Sequence, residues 1–206
     1  MECHARSVKL QYIVPVRKTV RKLAPGLTGK LTRKLAPEQL FEYAVQCLGR
    51  RAFASDELAV KLRARAVRPA DVEETIVRLK DIGYLDDRRF AESYALNRAE
   101  NDGFGRMRVL SDLRARRVPA AIAETAVAQV FEDKSEGELI DAYIDRKMSS
   151  LRAGGKVDDE RKLASAWRRL RRAGFSSGGV LAALKRLAAR PELIDEPPPD
   201  DEAAEL

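Results

Sequence analysis

The stretch LRARAV at residues 62–67 returns as LRARRV at residues 113–118 and, more loosely, as LRRAGF at residues 170–175. The three copies are 51 and 57 residues apart, and recurrence at a period of this order is typical of proteins built from repeated structural units. A further segment with helical apolar spacing precedes each copy, and another follows it. The sequence therefore predicts three units of three helices each.

Apolar residues near these copies are spaced as in helices that bury one face. Leu40, Phe41, Ala44, Val45 and Leu48 follow such a pattern, which places them on one side of a helix. Ala, Leu, Arg and Glu dominate the chain, and all of them are compatible with helices. Three short helices can barely enclose their own apolar faces, so neighbouring units should pack end to end. We expect an all-α fold, an elongated tandem array of three three-helix repeats.

Charge separates the ends of the chain from its middle. The first 34 residues carry nine bases against Glu2 alone, whereas the last 16 residues carry seven acids and no base. The Pro-rich acidic end is typical of a disordered tail, and we expect it to compete with DNA for the arginines. Val8 to Val16 alternate as in a short strand without an obvious partner. The predicted organisation is a basic extended or disordered leader at 1–36, repeats at 37–84, 85–133 and 134–190, and an acidic tail at 191–206.

Local signals predict where helices begin and end. Pro37, Pro69 and Pro119 suit the first turn of a helix, where the missing N–H costs nothing. Gly83 is expected to end one helix in the left-handed conformation, and Asp86 to cap the next. Asp87 would then lie at the positive end of the helix dipole, so we interpret this acidic pair as structural rather than catalytic.

The same Asp86 cap would place Leu85 and Phe90 at the two positions of a hydrophobic staple. Tyr84 and Phe90 are expected to pack between repeats. Trp167 is aligned with Leu163 and Leu170 on one helix face, which predicts a core position.

Several functional classes are disfavoured. Cys3 and Cys47 are the only cysteines and His4 is the only histidine, which argues against a disulfide scaffold, a histidine-dependent catalytic site and a metal site. GLTGK at residues 26–30 lacks the spacing of a phosphate-binding loop, and no run reaches the ~20 apolar residues of a membrane span. We predict a cytoplasmic protein that is not an enzyme, has no cofactor and does not bind a membrane.

Three stretches carry a resemblance to a known family. GYLDDRRFAESY (83–94), GFGRMRVLSDLRARRV (103–118) and RRAGFS (171–176) resemble motifs of the RecX family of recombination regulators. The resemblance covers about residues 37–189. It implies tandem three-helix repeats that bind the RecA recombinase filament on DNA and damp ATP hydrolysis, strand exchange and co-protease activity.

The chain departs from the family pattern at two helix ends. Where the second helix of an early repeat usually ends in glycine, this chain has Ala66 and Arg117, and only the third repeat keeps Gly174. A residue other than glycine in left-handed geometry costs roughly 1–2 kcal/mol. Either these helices end differently here or that cost is accepted.

Arginines concentrate on the middle helices of the repeats, and the guanidinium group pairs with carboxylates on protein or phosphates on DNA. We expect a partner-facing surface, although a solvated helix face partly neutralised by Asp56, Glu57, Asp112 and Glu160 would have a similar sequence. Phe104, between two glycines, is either an exposed contact or a loop anchor. The candidate partner- or DNA-binding residues are Arg63, Arg65, Phe104, Arg106, Arg108, Arg114, Arg116, Arg117, Arg168, Arg169, Arg171 and Arg172.

The leading prediction is a modulator, acting as a monomer, that lays its repeats along the RecA–DNA filament. The alternative is a stand-alone DNA-binding protein, because three-helix units with basic helices also resemble helix-turn-helix modules. DNA contact is expected in both cases, either directly or through the filament.

Overall fold

The computed structural model of the protein describes residues 34–151, 157 and 159–191, which form nine α-helices. A π-helical turn, Arg98–Asp102, extends α4, and a 3₁₀ turn, Ser149–Leu151, follows α7. None of the described helices is long and apolar enough to cross a membrane. The leader and the acidic tail lie outside the described residues, apart from residues 34–36 and 191. The helices are α1 Pro37–Leu48, α2 Ser55–Arg63, α3 Pro69–Asp81, α4 Asp87–Asn97, α5 Arg106–Ala115, α6 Ala120–Phe131, α7 Glu136–Lys147, α8 Glu160–Arg172 and α9 Ser177–Leu187.

The helices pack three by three in chain order. The third helix of each group contacts the first two: α3 lies against α1 and α2, α6 against α4 and α5, and α9 against α7 and α8. Each group has its own buried cluster, centred on Leu40, Leu58, Leu62 and Leu79 in repeat 1, on Val109, Leu113, Ala123 and Val127 in repeat 2, and on Ile140, Ile144, Trp167, Leu170 and Phe175 in repeat 3. The prediction of an all-α fold with three three-helix repeats is confirmed.

Most of the predicted helix boundaries are confirmed. Pro37 and Pro69 are the first residues of α1 and α3, and the Asp86 carboxylate caps α4 by accepting the backbone N–H groups of Arg88 and Arg89, both at 3.0 Å. Pro119 was expected in the first turn of α6 but is its N-cap, because the helix begins one residue later.

The two missing glycines have different outcomes. Arg117 takes the left-handed conformation at φ 62°, where the third repeat has Gly174 at φ 91°. Ala66 does not, since Arg117 is the only non-glycine residue with positive φ in the described part of the chain. The chain after α2 instead pairs with Leu35, two residues before α1, and the Leu35 N–H donates to the Arg65 carbonyl at 2.8 Å. Repeat 1 therefore avoids the strained turn, and repeat 2 accepts it.

Repeats 1 and 2 meet at the start of α2. The Asp87 carboxylate accepts the Ser55 N–H at 2.7 Å and lies 3.8 Å from the Lys80 ammonium group. The methyl group of Ala54, next to Ser55, is buried among the apolar residues of repeat 2. Asp87 thus does more than favour a helix dipole, because it connects α4 to the preceding repeat.

Two expectations for this region are wrong. Leu85 lies in the buried cluster of repeat 1, whereas Phe90 packs against that of repeat 2 and stacks on Tyr94, so the expected staple between Leu85 and Phe90 does not form. Tyr84 was expected to pack between repeats but is 52% exposed. The chain therefore passes from the core of repeat 1 to that of repeat 2 between Leu85 and Phe90.

Repeats 2 and 3 meet backbone to backbone. The N–H groups of Gly105 and Met107, at the start of α5, donate to the carbonyls of Ala173 and Gly174, at the end of α8, at 2.8 and 3.1 Å. A Cβ atom at Gly105 would lie 2.5 Å from the Gly174 oxygen. This contact places the positive end of one helix dipole on the negative end of another, and the absence of side chains on both glycines permits it.

Candidate partner-binding surface

The arginines predicted to face a partner lie mainly on α2, α5 and α8, the middle helices of the three repeats. The structure divides them into two groups. One group is held by acids, aromatic rings or a backbone carbonyl of the same chain, and the other has no such partner among the described residues.

Arginines of the second repeat belong mostly to the held group. Arg108 pairs with Asp112 at 3.1 Å, Arg114 with Glu124 at 3.2 Å, and Arg116 with Glu57 of repeat 1 at 3.6 Å. In repeat 1, Arg65 lies over the Tyr43 ring at 5.0 Å. Exposed ion pairs of this kind contribute little to stability, about 0–1 kcal/mol. They do occupy the guanidinium groups and thereby reduce the charge offered to a partner.

The acids predicted to neutralise this surface take part unevenly. Glu57 pairs with both Arg51 and Arg116, and Asp112 pairs with both Arg98 and Arg108. No ion pair to another described residue is found for Asp56 or Glu160. Glu124, which sequence reasoning did not include, holds Arg114 from the neighbouring α6.

Arg98 is an internal anchor that the sequence analysis missed. Its guanidinium donates to the Tyr94 hydroxyl at 3.0 Å and to Asp102 at 2.7 Å, and it lies 2.9 Å from Asp112. Burial lowers the pKa of Arg98, but the hydrogen bonds to Asp102 and Tyr94 outweigh it and raise the pKa above its ordinary value. Arg98 therefore stays charged and holds the π-helical turn against α5.

Phe104 lies beside this anchor. Its ring is half-buried, packs against the apolar clusters of repeats 2 and 3, and lies 5.2 Å from the Arg98 guanidinium. Of the two alternatives for Phe104, this geometry is that of a loop anchor between repeats. Sequence alone did not distinguish them, because an exposed aromatic between two glycines has the same local pattern.

Among the candidates on α2 and α5, Arg63, Arg106 and Arg117 are exposed and make no side-chain hydrogen bond or ion pair to any described residue. They lie at the end of α2, at the start of α5 and after its end. Arg106 borders a cleft of about 320 Å³ between repeats 2 and 3, together with Met107, Lys134 and Ser176.

The third repeat concentrates free positive charge on α8. Leu163, Trp167 and Leu170 form the inner line of this helix, and Trp167 is 1% exposed, as predicted for a core position. The opposite, solvent-facing side is what we call the α8 cationic stripe: Arg161, Lys162, Arg168, Arg169 and Arg172.

Helix geometry aligns three members of this stripe, and Lys162 and Arg169 lie beside that line, at ~80–100° around the helix. Arg161, Arg168 and Arg172 are spaced i, i+7 and i+11, which places them within about 40° of one another around the helix at ~100° per residue. Arg168, Arg169 and Arg172 make no side-chain hydrogen bond or ion pair within the described ranges, and Lys162 approaches only Asp159, at 3.9 Å. The spacing of Arg161 and Arg168 is visible in the sequence. Only the structure separates the stripe from the other basic helices, because it shows that most arginines of repeat 2 are paired.

Arg171, also among the candidates, has a different role. It is half-buried and donates to the Phe175 carbonyl at 2.7 Å, so it holds the turn after α8. We do not include it in the α8 cationic stripe.

The arginines of the stripe can pair with anions and are not suited to acid–base chemistry. Guanidinium groups stay charged at any physiological pH and form forked hydrogen bonds with carboxylates and phosphates. In residues 34–151 and 159–191 no group of three or more His, Cys, Asp or Glu side chains is arranged to hold a metal ion.

Comparisons of family models, sequences and solved structures all match this chain to RecX proteins. Residues 86–127 match the family model described as "RecX, second three-helix domain". A protein named "Regulatory protein RecX" from Deinococcus radiodurans is 34% identical over 176 residues, which cover 84% of this chain and 77% of the relative. A protein of the same name from Halorhodospira halophila is 33% identical over 149 residues, which cover 72% of this chain and 88% of the relative. A solved structure, the crystal structure of RecX from Lactobacillus salivarius, matches with a TM-score of 0.55 at 19% identity, over 73% of this chain and 96% of that one, which supports the fold.

Proposed function

The chain belongs to the RecX family of regulatory proteins, and from that premise we propose that it regulates the RecA recombinase by binding the RecA–DNA filament as a monomer. Binding lowers ATP hydrolysis, strand exchange and co-protease activity, and the chain itself catalyses no reaction. The observation that carries the proposal, beyond the family, is the α8 cationic stripe, whose arginines are exposed and lack partners in the described part of the chain.

A nucleoprotein filament suits such a surface. It presents carboxylates on protein and phosphates on DNA, and a guanidinium group binds either. Repeated contacts along a filament add avidity to individually weak ones. The three cores, each closed within one chain, support a monomer as the binding unit.

RecA activity in the presence of saturating protein tests the proposal. We expect lower single-stranded-DNA-dependent ATP hydrolysis and less strand exchange. The variant R168Q/R169Q/R172Q should lose most of this effect, because three of the five stripe cations are removed. The matched control is R50Q/R88Q/K147Q, which removes the same charge from exposed positions of the three repeats, away from α8. Unchanged RecA activities with the natural protein would contradict the proposal, and equal losses in both variants would contradict the assignment of the site.

The second candidate function, stand-alone DNA binding, is favoured by the same stripe, because three of its five cations, Arg161, Arg168 and Arg172, follow one line along α8 as phosphates follow a strand. This candidate predicts binding to naked DNA with a steep salt dependence. If four or five phosphates are neutralised, the slope of log K against log salt should be about −3 to −3.5 on a single strand and about −3.5 to −4.5 on a duplex. Affinity for DNA that RecA does not increase would favour this candidate over the filament regulator.

A further inference from the structure

The structure shows where the chain leaves the described fold. The Val157 N–H donates to the Leu187 carbonyl at 2.8 Å, and the Ala189 N–H donates back to the Val157 carbonyl at 2.9 Å. Val157 is only two residues before Asp159, the N-cap of α8. The end of α9 is therefore held beside the start of α8.

The segment that continues from this point is strongly acidic. Residues 192–206 contain seven acids and no base, and three consecutive prolines interrupt them. Fifteen residues reach up to ~50 Å when extended, whereas the thirteen residues of α8 span ~20 Å along the helix axis. The segment is long enough to follow all of α8 from where it begins.

The surface beside this exit has the opposite charge. From Arg161 to Arg172 α8 contains six bases and no acid, and five of those bases form the α8 cationic stripe. Arg108 and Arg114 already have acidic partners on α5 and α6. Arg63, Arg106 and Arg117 have no such partner among the described residues, but they lie apart, on α2 and at the two ends of α5, and not together on one helix. Charge complementarity and the position of the exit therefore both select α8.

We propose that residues 192–206 bind the α8 cationic stripe of the same chain and compete there with the anionic partner. The contact itself needs no RecA and no DNA, while the competition rests on the function proposed above. A tethered segment acts at an effective concentration of the order of millimolar. For a contact with an intrinsic dissociation constant of a few hundred micromolar, the tether weakens partner binding roughly three- to tenfold.

A zero-length carbodiimide crosslink detects the contact directly, since it joins a carboxylate to a lysine amine with which it is paired. In the full chain alone at low salt, we expect residues 192–206 to be joined to Lys162, and in R168K also at position 168. Lys61, an exposed lysine of α2, serves as the internal control. Crosslinks should decline in 0.5 M NaCl, where charges are screened beyond ~4 Å. No crosslink to α8, or equal crosslinking to Lys61, would overturn the proposal.

A binding titration tests the competition. The probe is a fluorescent thymidine oligonucleotide at low salt, and the proteins are the full chain, a chain ending at residue 191, and a full-length chain with the seven acids changed to Asn or Gln. We expect the last two proteins to bind three- to tenfold more tightly than the first. Equal affinities in all three proteins would refute the competition. If no protein binds the oligonucleotide, the crosslink to Lys162 alone decides whether the segment docks on α8, independently of the proposed function.

Discussion

Gly174 is the position at which one methyl group should most damage the joint between repeats 2 and 3. Its φ of 91° lies in the region that only glycine adopts readily. An added Cβ would overlap the backbone N and Cβ of Arg108 on α5. Gly174→Ala therefore forces the end of α8 away from the start of α5.

Three effects contribute to the free energy of unfolding that Gly174→Ala should lose. The left-handed conformation costs about 1–2 kcal/mol for alanine, overpacking at a rigid backbone contact costs about 1–3 kcal/mol, and the two hydrogen bonds across the joint contribute about 1 kcal/mol each. These effects overlap, because relieving the steric clash is what breaks the hydrogen bonds. We expect a loss of roughly 3–5 kcal/mol in the free energy of unfolding.

Three other glycines separate the contributions. Gly83→Ala, at φ 74° with no neighbour within 4 Å, should cost only the backbone strain. Gly105→Ala, at φ −76°, should cost the steric overlap with the Gly174 carbonyl group and the Phe175 ring, without left-handed strain. Gly178→Ala, in α9 with no neighbour within 4 Å, should raise stability by about 0.5–1 kcal/mol because alanine restricts the unfolded chain.

Urea unfolding measures the series. Far-UV circular dichroism follows all helices, and the fluorescence of Trp167, the only tryptophan, follows the core of repeat 3. Gly174→Ala should lower the midpoint most in the fluorescence signal. A loss no larger than that of Gly83→Ala would show that the two backbones are not in close contact, and the account of this joint would fail.

Three further predictions concern single residues. Arg117→Gly should raise the free energy of unfolding by about 1 kcal/mol, because it relieves left-handed strain. Ala66→Gly, at the corresponding position of repeat 1, should lower it. Urea melts in which both changes have the same effect would contradict the difference between the two repeats. Asp87→Ala should lower stability by about 1–3 kcal/mol, since it leaves a buried N–H of α2 unpaired, and Asp87→Asn, whose amide oxygen still accepts, should cost less in the same melts. Hydrogen bonds from Arg68 lower the pKa of Asp71. The Asp71 carboxylate therefore stabilises the fold above the unfolded pKa of about 4, and this stabilisation is lost as the pH falls through the folded pKa. The stability lost between pH 7 and pH 3 should be smaller in Asp71→Asn than in the natural protein, and equal losses would contradict the pairing.

Sequence reasoning succeeded where the determining contacts are local. The cap at Asp86, the left-handed turn at Gly83 and the buried position of Trp167 each depend on residues within about one or two helical turns. The three repeats were also predictable, because a repeated sequence repeats its local signals. The family resemblance covered the same residues and agreed with this count.

The joints and the sorting of the arginines were not predictable, since both depend on residues far apart in the chain. Nothing near Arg116 indicates that Glu57 is its partner, and nothing near Gly105 indicates that its N–H meets the Ala173 carbonyl. Phe104 was placed among the partner-binding candidates, with a loop anchor as the alternative, because its packing depends on both neighbouring repeats. The α8 cationic stripe is what remains after these distant pairs are assigned, so it could not be separated from the other basic helices by sequence alone.

The claim that this protein acts on a RecA nucleoprotein filament through α8 is tested most directly by co-sedimentation. RecA filaments on single-stranded DNA, RecA without DNA, and DNA without RecA are each pelleted with the natural protein, with R168Q/R169Q/R172Q and with the control R50Q/R88Q/K147Q. We predict that the natural protein and the control pellet with the filament far more than with either component, and that the α8 variant stays in the supernatant. Binding to DNA that is unchanged by RecA, or full retention of the α8 variant on filaments, would contradict the account.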